Sequence, residues 1–147
     1  MSSSSENEGV LSQRAPEPVG PYPHARRVGQ WLFLSGVGPR ARGTEKIPGV
    51  ELSQEGSILS YDIAEQCHSV FRNVRNILED AGSSWERIVD ITVFLTNMKA
   101  DFKTFNRIYG EYIHGNRPTR TTVEVSALPT PIAIELKVIA TVEDLEE

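Results

Sequence analysis

The sequence predicts an α+β fold in which two helices cover one face of a mixed sheet. Two long segments have the apolar spacing of amphipathic helices, whereas the other apolar segments are short and rich in β-favouring residues. In chain order these are one or two strands, a long loop, a helix, a strand, a helix and two final strands. Two helices cannot cover both faces of such a sheet, and the last strand is apolar on both faces. We therefore expect the uncovered face to pack on another copy in a homo-oligomer.

The start of the chain contains a predicted tail and a predicted hairpin. Residues 1–18 are rich in Ser, Glu and Pro without apolar periodicity, so we expect a flexible tail followed by a single domain over residues 19–147. The segment RRVGQWLFLSGVG predicts one strand or a tight hairpin around Gly29 and Gln30. Residues 39–60 predict a long loop with room for one short strand. Such loops are often functional, and the alternative is a mobile surface loop.

Both helices are predicted from apolar residues at three- and four-residue spacing. The clearer one spans residues 62–82, where Asp62 and a glutamate three residues later resemble a capping box and Gly82 is a suitable stop. The second spans residues 101–115 and contains Gly110, which weakens a helix by roughly 1 kcal/mol relative to alanine.

The remaining strands carry the charges of greatest interest. Residues 87–97 predict one strand, and the segments RTTVEV and IAIELKVIATVE predict two more, joined by the turn LPTP and expected to be hairpin neighbours. Arg120 stands at the start of the first and Glu135 lies inside the second, where a charge is costly unless it is paired or used. The pattern leaves two interpretations open. One is a structural salt bridge or an exposed strand face, and the other is a site in which Arg120 binds a substrate carboxylate while Glu135 orients a water.

Composition limits the classes of function. The 147 residues, 39% hydrophobic and 24% charged, are typical of one soluble globular domain. The net charge of −5 argues against a nucleic-acid binder but does not exclude an anionic small substrate. A single cysteine excludes an intrachain disulfide and indicates a reducing, cytoplasmic setting. We see no secretory signal and no apolar run long enough to span a membrane.

The sequence also lacks the usual cofactor motifs. The three histidines have no ligand spacing with each other or with Cys67, so no metal site is predicted. Cys67 lies on the apolar side of the first helix, which favours a buried side chain over a nucleophile. Neither of the common glycine-rich phosphate-binding motifs occurs. We therefore expect that any enzyme activity needs no cofactor.

The segment RTTVEVSALPTPIAIELKVIA resembles the signature of the reactive-intermediate deaminase family (RidA/YjgF), R-[ST]-x-V-x-V-x-x-L-P followed by an apolar strand with one glutamate. Other segments resemble the family in its order: VGPYPHA, LFLSG, AEQCHSVFRNVRNILEDAG and DFKTFNRIYGEY. The resemblance covers about residues 19–142. It implies a chorismate-mutase-like fold and a homotrimer, or a higher multiple, with a central barrel and clefts between subunits.

The resemblance also implies an activity and a site. Members of this family hydrolyse enamines and imines of 2-amino acids to 2-oxo acids and ammonia without a cofactor. Arg120 would bind the substrate carboxylate, and Glu135, its pKa lowered by the arginine, would position the attacking water. The backbone N–H of Thr122 would help to bind the carboxylate, and three further residues match cleft positions: Tyr22, Gly36 and Asn106.

The N-terminal extension and the long 39–60 loop resemble the 2-aminomuconate deaminase branch of the family, which serves aromatic-compound degradation. Its substrate has two carboxylates and is converted to 4-oxalocrotonate and ammonia, so it calls for a second cation. The candidates, each with a solvated surface residue as the alternative, are Arg26, Arg27, Arg40 and Arg42, with His24 beside them. Alternative functions are a broad 2-aminoacrylate-type deaminase and a non-enzymatic ligand-binding or chaperone-like protein. RNA cleavage is disfavoured by the acidic composition.

Overall fold

The computed structural model of the protein describes residues 7–113 and 115–142. These residues form eight strands and two α-helices: β1 (Asn7–Val10), β2 (Ala25–Val28), β3 (Trp31–Leu34), β4 (Val50–Leu52), β5 (Ile58–Tyr61), α1 (Ile63–Asp80), β6 (Ile88–Leu95), α2 (Met98–Tyr112), β7 (Thr119–Glu124) and β8 (Ile134–Thr141).

Six of the strands form one mixed sheet in the order β1-β2-β3-β8-β6-β7. The β6–β7 pair is parallel and the other pairs are antiparallel, while β4 and β5 form a separate hairpin. Alternate residues of β6 and β8 are buried in one core with the apolar sides of α1 and α2. The predicted α+β fold with two helices on one face of a mixed sheet is therefore confirmed. Neither helix is long and apolar enough to cross a bilayer, a finding that covers residues 7–113 and 115–142.

Local signals set the ends of the helices. The Asp62 side chain accepts a hydrogen bond from the Glu65 backbone N–H at 3.1 Å, as predicted for the start of α1. Gly82, at φ +84°, follows the end of that helix, where the left-handed region favours glycine. Helix α2 begins earlier than the predicted residue 101, because the Asn97 side chain accepts a hydrogen bond from the Ala100 N–H at 3.0 Å.

The predicted hairpin around Gly29 is confirmed. Strands β2 and β3 are antiparallel, and Val28 lies opposite Trp31, so Gly29 and Gln30 form a two-residue turn. Gly29 has φ +61° and no other residue type among those described has a positive φ, which is the pattern of a type II′ turn.

The segment from residue 7 to 18 departs from the predicted flexible tail, whereas residues 1–6 lie outside the described residues. Strand β1 pairs with β2 at the sheet edge, and Ser12 and Ala15 are buried. Arg14 forms an ion pair with Asp80 of α1 at 2.8 Å. The segment packs on the domain because it obtains its hydrogen bonds and charge partners from distant parts of the chain.

The 39–60 region also contains more structure than the predicted loop. Strands β4 and β5 form a hairpin in which Val50 lies opposite Tyr61, and Gly56 adopts φ +88° in the turn. The two strands satisfy each other's backbone groups, which neither could do alone.

The predicted hairpin of β7 and β8 is wrong, because β6 lies between them. Parallel neighbours need a long crossover connection, and α2 supplies it between β6 and β7. The turn that contains LPTP therefore carries the chain past the end of β6 instead of folding β8 directly onto β7. This exchange of neighbours changes the relation between Arg120 and Glu135.

The sheet face opposite the helices is open within the single chain. Four apolar residues on this face are 36–40% exposed: Val28, Trp31, Phe33 and Val123. They share the face with polar residues, so the sheet presents a mixed surface of the kind that another copy can cover.

Candidate functional site

A cleft of about 290 Å³ lies where the chain leaves β3 and passes β8. Val37 and Leu136 exchange two backbone hydrogen bonds of 2.8 Å, which hold the segment after β3 against β8. The polar and glycine residues that line the cleft are Tyr22, Ser35, Gly36, Gly38, Arg40, Thr130 and Glu135. We refer to it as the Glu135 cleft.

Glu135 is half-buried in this cleft, and no cation among the described residues pairs with its carboxylate. Burial raises the pKa of its carboxyl group above the ordinary value. Within the described part of the chain, its carboxylate forms neither an ion pair nor a hydrogen bond. Lys137, two residues further along β8, donates its ammonium to the Leu34 carbonyl oxygen. The expectation of a lowered pKa beside an arginine is therefore wrong for the single chain.

Gly36 allows Glu135 to sit where it does. A Cβ at Gly36 would lie 3.0 Å from Cδ of Glu135 and closer still to Oε2. A side chain at position 36 would displace the carboxyl group, so the glycine allows Glu135 to take its observed position. Tyr22 stands nearby, and its hydroxyl accepts a hydrogen bond from the Val19 N–H at 3.3 Å.

Arg120 lies in a different place, against α2. Its Nη1 donates to Asn106 Oδ1 at 2.9 Å. Its guanidinium carbon is 4.6 Å from the ring centre of Tyr109 and 5.3 Å from that of Phe105, both within cation–π range. No carboxylate pairs with it within residues 7–113 and 115–142. The aromatic rings and Asn106 thus hold a guanidinium whose other donors are available to an anion.

Thr122 belongs to the Arg120 side of the sheet. Its Oγ1 is buried without a hydrogen-bond partner. Strand β7 is the last strand of the sheet, so alternate backbone groups along it have no neighbouring strand to pair with.

The structure thus brings the expected site residues into two groups. Tyr22, Gly36 and Glu135 meet in the cleft, whereas Asn106 and Thr122 accompany Arg120. Arg120 lies opposite Ile91 of β6, and Glu135 lies opposite Phe94 of the same strand.

Ile91 and Phe94 are three residues apart, so they point to opposite faces of the sheet. The two charges therefore lie on opposite faces, with β6 between their strands. The expectation that they share a region does not hold within one chain.

The four arginines considered for binding a second carboxylate differ in their positions and partners. Arg42 donates to the Ser12 and Ala15 carbonyl oxygens at 3.1 and 2.8 Å, and Arg27 donates to the Gly29 carbonyl oxygen at 2.9 Å. Arg26 is exposed on β2, and only Arg40 of the four lines the Glu135 cleft.

Both ring nitrogens of His24 form hydrogen bonds within the protein. Its Nδ1 accepts the Ser12 N–H at 2.9 Å, so Nε2 carries the ring hydrogen and donates to the Pro16 carbonyl oxygen at 2.7 Å. This histidine holds the N-terminal segment to the domain.

The sequence reasoning missed Ser35 as a cleft residue. Its hydroxyl donates to the Pro23 carbonyl oxygen at 2.8 Å and so fixes the segment that carries Tyr22. Its position next to Gly36 in LFLSG was the available signal. Cys67 is fully buried, as predicted, and burial raises the pKa of its thiol to about 12. No cluster of His, Cys, Asp and Glu suited to a metal ion occurs among the described residues.

Comparisons with known proteins agree with this architecture. Residues 12–142 match the family model described as Ribonuc_L-PSP, endoribonuclease L-PSP. A RutC family protein of Pyrococcus abyssi is 38% identical over 133 residues, 90% of this chain and 95% of that protein. Reactive Intermediate Deaminase A of Arabidopsis thaliana, a chloroplastic protein, is 35% identical over 139 residues, 95% of this chain and 68% of that protein. The crystal structure of E. coli TdcF with bound serine is similar at a TM-score of 0.78 and 31% identity, covering 91% of this chain and 98% of that one.

Proposed function

The chain belongs to the RidA/YjgF (Ribonuc_L-PSP) family, and we propose that it hydrolyses 2-aminomuconate to 4-oxalocrotonate and ammonia. Reactive-intermediate deaminase homologues in this family support a general imine and enamine deaminase role. The activity needs no cofactor. The long 39–60 region and the N-terminal extension, which resemble the 2-aminomuconate deaminase branch, favour this substrate. The alternative is broad activity on 2-aminoacrylate-type enamines and imines.

One observation carries the proposal. Among the described residues, the guanidinium of Arg120 on one face of the sheet has no carboxylate partner, and the desolvated carboxyl group of Glu135 on the other face has no cation partner. Such groups cost folding free energy in structural roles, which makes them good candidates for a substrate site. The bound serine in E. coli TdcF supports a site that accepts a small carboxylate.

Because the two groups lie on opposite faces, we propose that the active site is assembled from two copies. Arg120 of one copy meets the Glu135 cleft of the next. The open sheet face, with Trp31 and Phe33 more than a third exposed, supports such an assembly. Proteins of this family bind small ligands and are typically oligomeric, and a homotrimer repeats the same contact three times.

The reaction follows from these groups. The enamine first tautomerises to the imine, whose carboxylate is bound by the guanidinium of Arg120. Water then adds to the imine carbon, and its proton passes to the Glu135 carboxylate as the C–O bond forms. Glu135 returns the proton to the nitrogen, which gives a carbinolamine. Glu135 then takes the hydroxyl proton of the carbinolamine and passes it to the nitrogen as the C=O bond forms and the C–N bond breaks, so that ammonia and the 2-oxo acid leave. A raised pKa makes Glu135 a stronger base than an ordinary carboxylate.

Ammonia release from 2-aminomuconate by the purified protein tests the activity. We expect Arg120→Ala and Glu135→Gln each to lower kcat/KM about a hundredfold, because each removes a charged contact with the substrate or the water. Arg107→Ala is the matched control, since Arg107 is an exposed arginine of α2 that forms a surface ion pair with Glu111 at 3.4 Å. Full activity of Arg120→Ala would overturn the proposal. A kcat/KM no better for 2-aminomuconate than for 2-aminoacrylate would favour the broad alternative.

Co-expression of the two inactive variants tests the shared site. A contact between the intact Arg120 of one variant and the intact Glu135 of the other restores a complete site. In randomly mixed trimers, about a quarter of the sites are complete, so we expect about a quarter of the wild-type activity. If both groups served from the same copy, no mixed oligomer would recover activity.

A further inference from the structure

Of the four candidate arginines, Arg40 alone is among the residues that line the Glu135 cleft. The guanidinium of Arg42 is committed to two backbone carbonyl oxygens of the N-terminal segment. Arg40 lines the cleft together with Tyr22 and Glu135. A cation in the wall of a small cleft attracts an anionic group of a ligand.

The guanidinium of Arg40 has donors to spare. Its Nη2 donates to the Glu17 carbonyl oxygen at 2.7 Å, which uses one of five N–H groups. The Glu17 carboxylate approaches Arg42 instead, at 3.8 Å. In the part of the chain that the structure describes, Arg40 forms no ion pair, so its charge is not neutralised by the protein.

Two side chains of helix α1 hold the backbone around Arg40. Asn73, 5% exposed, donates its amide to the carbonyl oxygens of Gly38 and Arg40 at 2.9 and 2.7 Å. The Ser69 hydroxyl donates to the Pro39 carbonyl oxygen at 2.7 Å. Two buried polar side chains thus hold the segment that presents Arg40, which is the support expected of a binding residue.

Arg40 is not a structural partner of Glu135. The two line the same cleft, yet no ion pair within 4 Å joins them among the described residues, and the Glu135 carboxyl remains uncompensated. The space between them is therefore available to a ligand that is anionic at the end facing Arg40.

We propose that Arg40 binds a second carboxylate of the substrate and makes the site selective for enamines and imines of dicarboxylic acids. This inference rests on the proposed function, in which Arg120 of the neighbouring copy binds the first carboxylate. The two guanidinium groups hold the ends of the substrate, and Glu135 faces the imine carbon between them. Arg40 is thus a specificity-determining residue for the reaction.

A substrate comparison tests the proposal. The measured quantity is the ratio of kcat/KM for 2-aminomuconate, with two carboxylates, to that for 2-aminoacrylate, with one. We expect Arg40→Gln to lower this ratio ten- to a hundredfold, chiefly through KM for the dicarboxylate, because a charge-assisted contact is lost. Arg40→Lys should recover part of the loss. Arg72→Gln, which removes an exposed arginine from the outer side of α1, is the control and should leave the ratio unchanged. An equal loss on both substrates, or no loss, overturns the assignment.

A binding measurement separates this inference from the proposed function. Muconate and sorbate share a six-carbon diene chain but carry two carboxylates and one. Calorimetry should show tighter binding of muconate to the wild type, and Arg40→Gln should abolish that preference. If the protein releases ammonia and the Arg40→Gln variant still binds muconate more tightly than sorbate, the role of Arg40 is overturned but the deaminase activity stands. A preference that depends on Arg40, without ammonia release from any enamine, would overturn the deaminase and leave the dicarboxylate subsite standing.

Discussion

Replacing Gly36 by alanine tests whether the position of Glu135 matters for the reaction. The added Cβ would lie 3.0 Å from Cδ and 3.6 Å from Cγ of Glu135, and well inside contact distance of Oε2. The carboxyl group must retreat by about 1 Å to reach ordinary contact. A shift of that size in a reacting group costs about a hundredfold in rate. We therefore expect Gly36→Ala to lower kcat/KM for ammonia release about a hundredfold.

The same change should cost little stability. The obstacle is the end of a flexible side chain, so the protein adapts by rotating Glu135 at a cost of about 0.5–1.5 kcal/mol. Urea denaturation, with an unchanged dependence on denaturant concentration, measures this cost. The expected signature is thus a large loss of activity in a protein that is still folded.

Gly38→Ala is the matched control in the same cleft. Its Cβ would lie 2.8 Å from Cδ1 of Ile132, again the end of a side chain, and would leave Glu135 in place. It should lose much less activity than Gly36→Ala. In the Glu135→Gln background, Gly36→Ala should have little further effect, because the group that it displaces no longer acts as a base. Wild-type kcat/KM for Gly36→Ala would refute the reasoning.

Two further predictions concern stability. Gly110→Ala should raise the free energy of unfolding by about 1 kcal/mol and Tm by about 2–4 °C, because no atom lies within 4 Å of the new Cβ inside α2. Gly82→Ala, at φ +84°, should be destabilising instead, and a destabilising Gly110→Ala would contradict the helix argument. Asp80→Asn should destabilise the protein by less than about 1 kcal/mol at pH 7. The pKa of Asp80 is lowered chiefly by the hydrogen bond from Arg14, but the pair is largely exposed to solvent, which limits the energy of the interaction. Because the pKa of Asp80 is lowered in the folded state, its carboxylate stabilises the protein above the unfolded-state pKa, and this contribution is lost as the pH falls through the folded-state pKa. The difference in free energy of unfolding between Asp80→Asn and the wild type, measured by urea denaturation, should therefore shrink below about pH 4. A difference independent of pH would contradict this.

Much of the fold could be predicted because its signals are local. The apolar spacing of α1, its cap at Asp62 and its stop at Gly82 all lie within one stretch of sequence. The turn at Gly29 is equally local. The order of the strands is not, because β7 pairs with β6 only through the crossover of α2. Strand β1 likewise pairs with the distant β2, so the polar composition of residues 7–10 gave no sign of it.

The candidate site was harder to predict than the fold. The residue types at Arg120 and Glu135 could be recognised, but their relation depends on which neighbour each strand takes. The registers with Ile91 and Phe94 assign them to opposite faces, and no pattern within β7 or β8 reveals that. Arg40 could not be separated from Arg42 by sequence, because only the packing of the N-terminal segment distinguishes their partners.

The hydrogen bond from Arg40 to the Glu17 carbonyl oxygen links the segment of residues 7–18 to the Glu135 cleft. That segment is in turn anchored by Arg14 on Asp80 and by His24 on Ser12. Residues 7–18 are therefore held to the domain at several points. Under the proposed function, proteolytic removal of residues 7–18 would release Arg40 from Glu17 and so alter substrate recognition from outside the cleft.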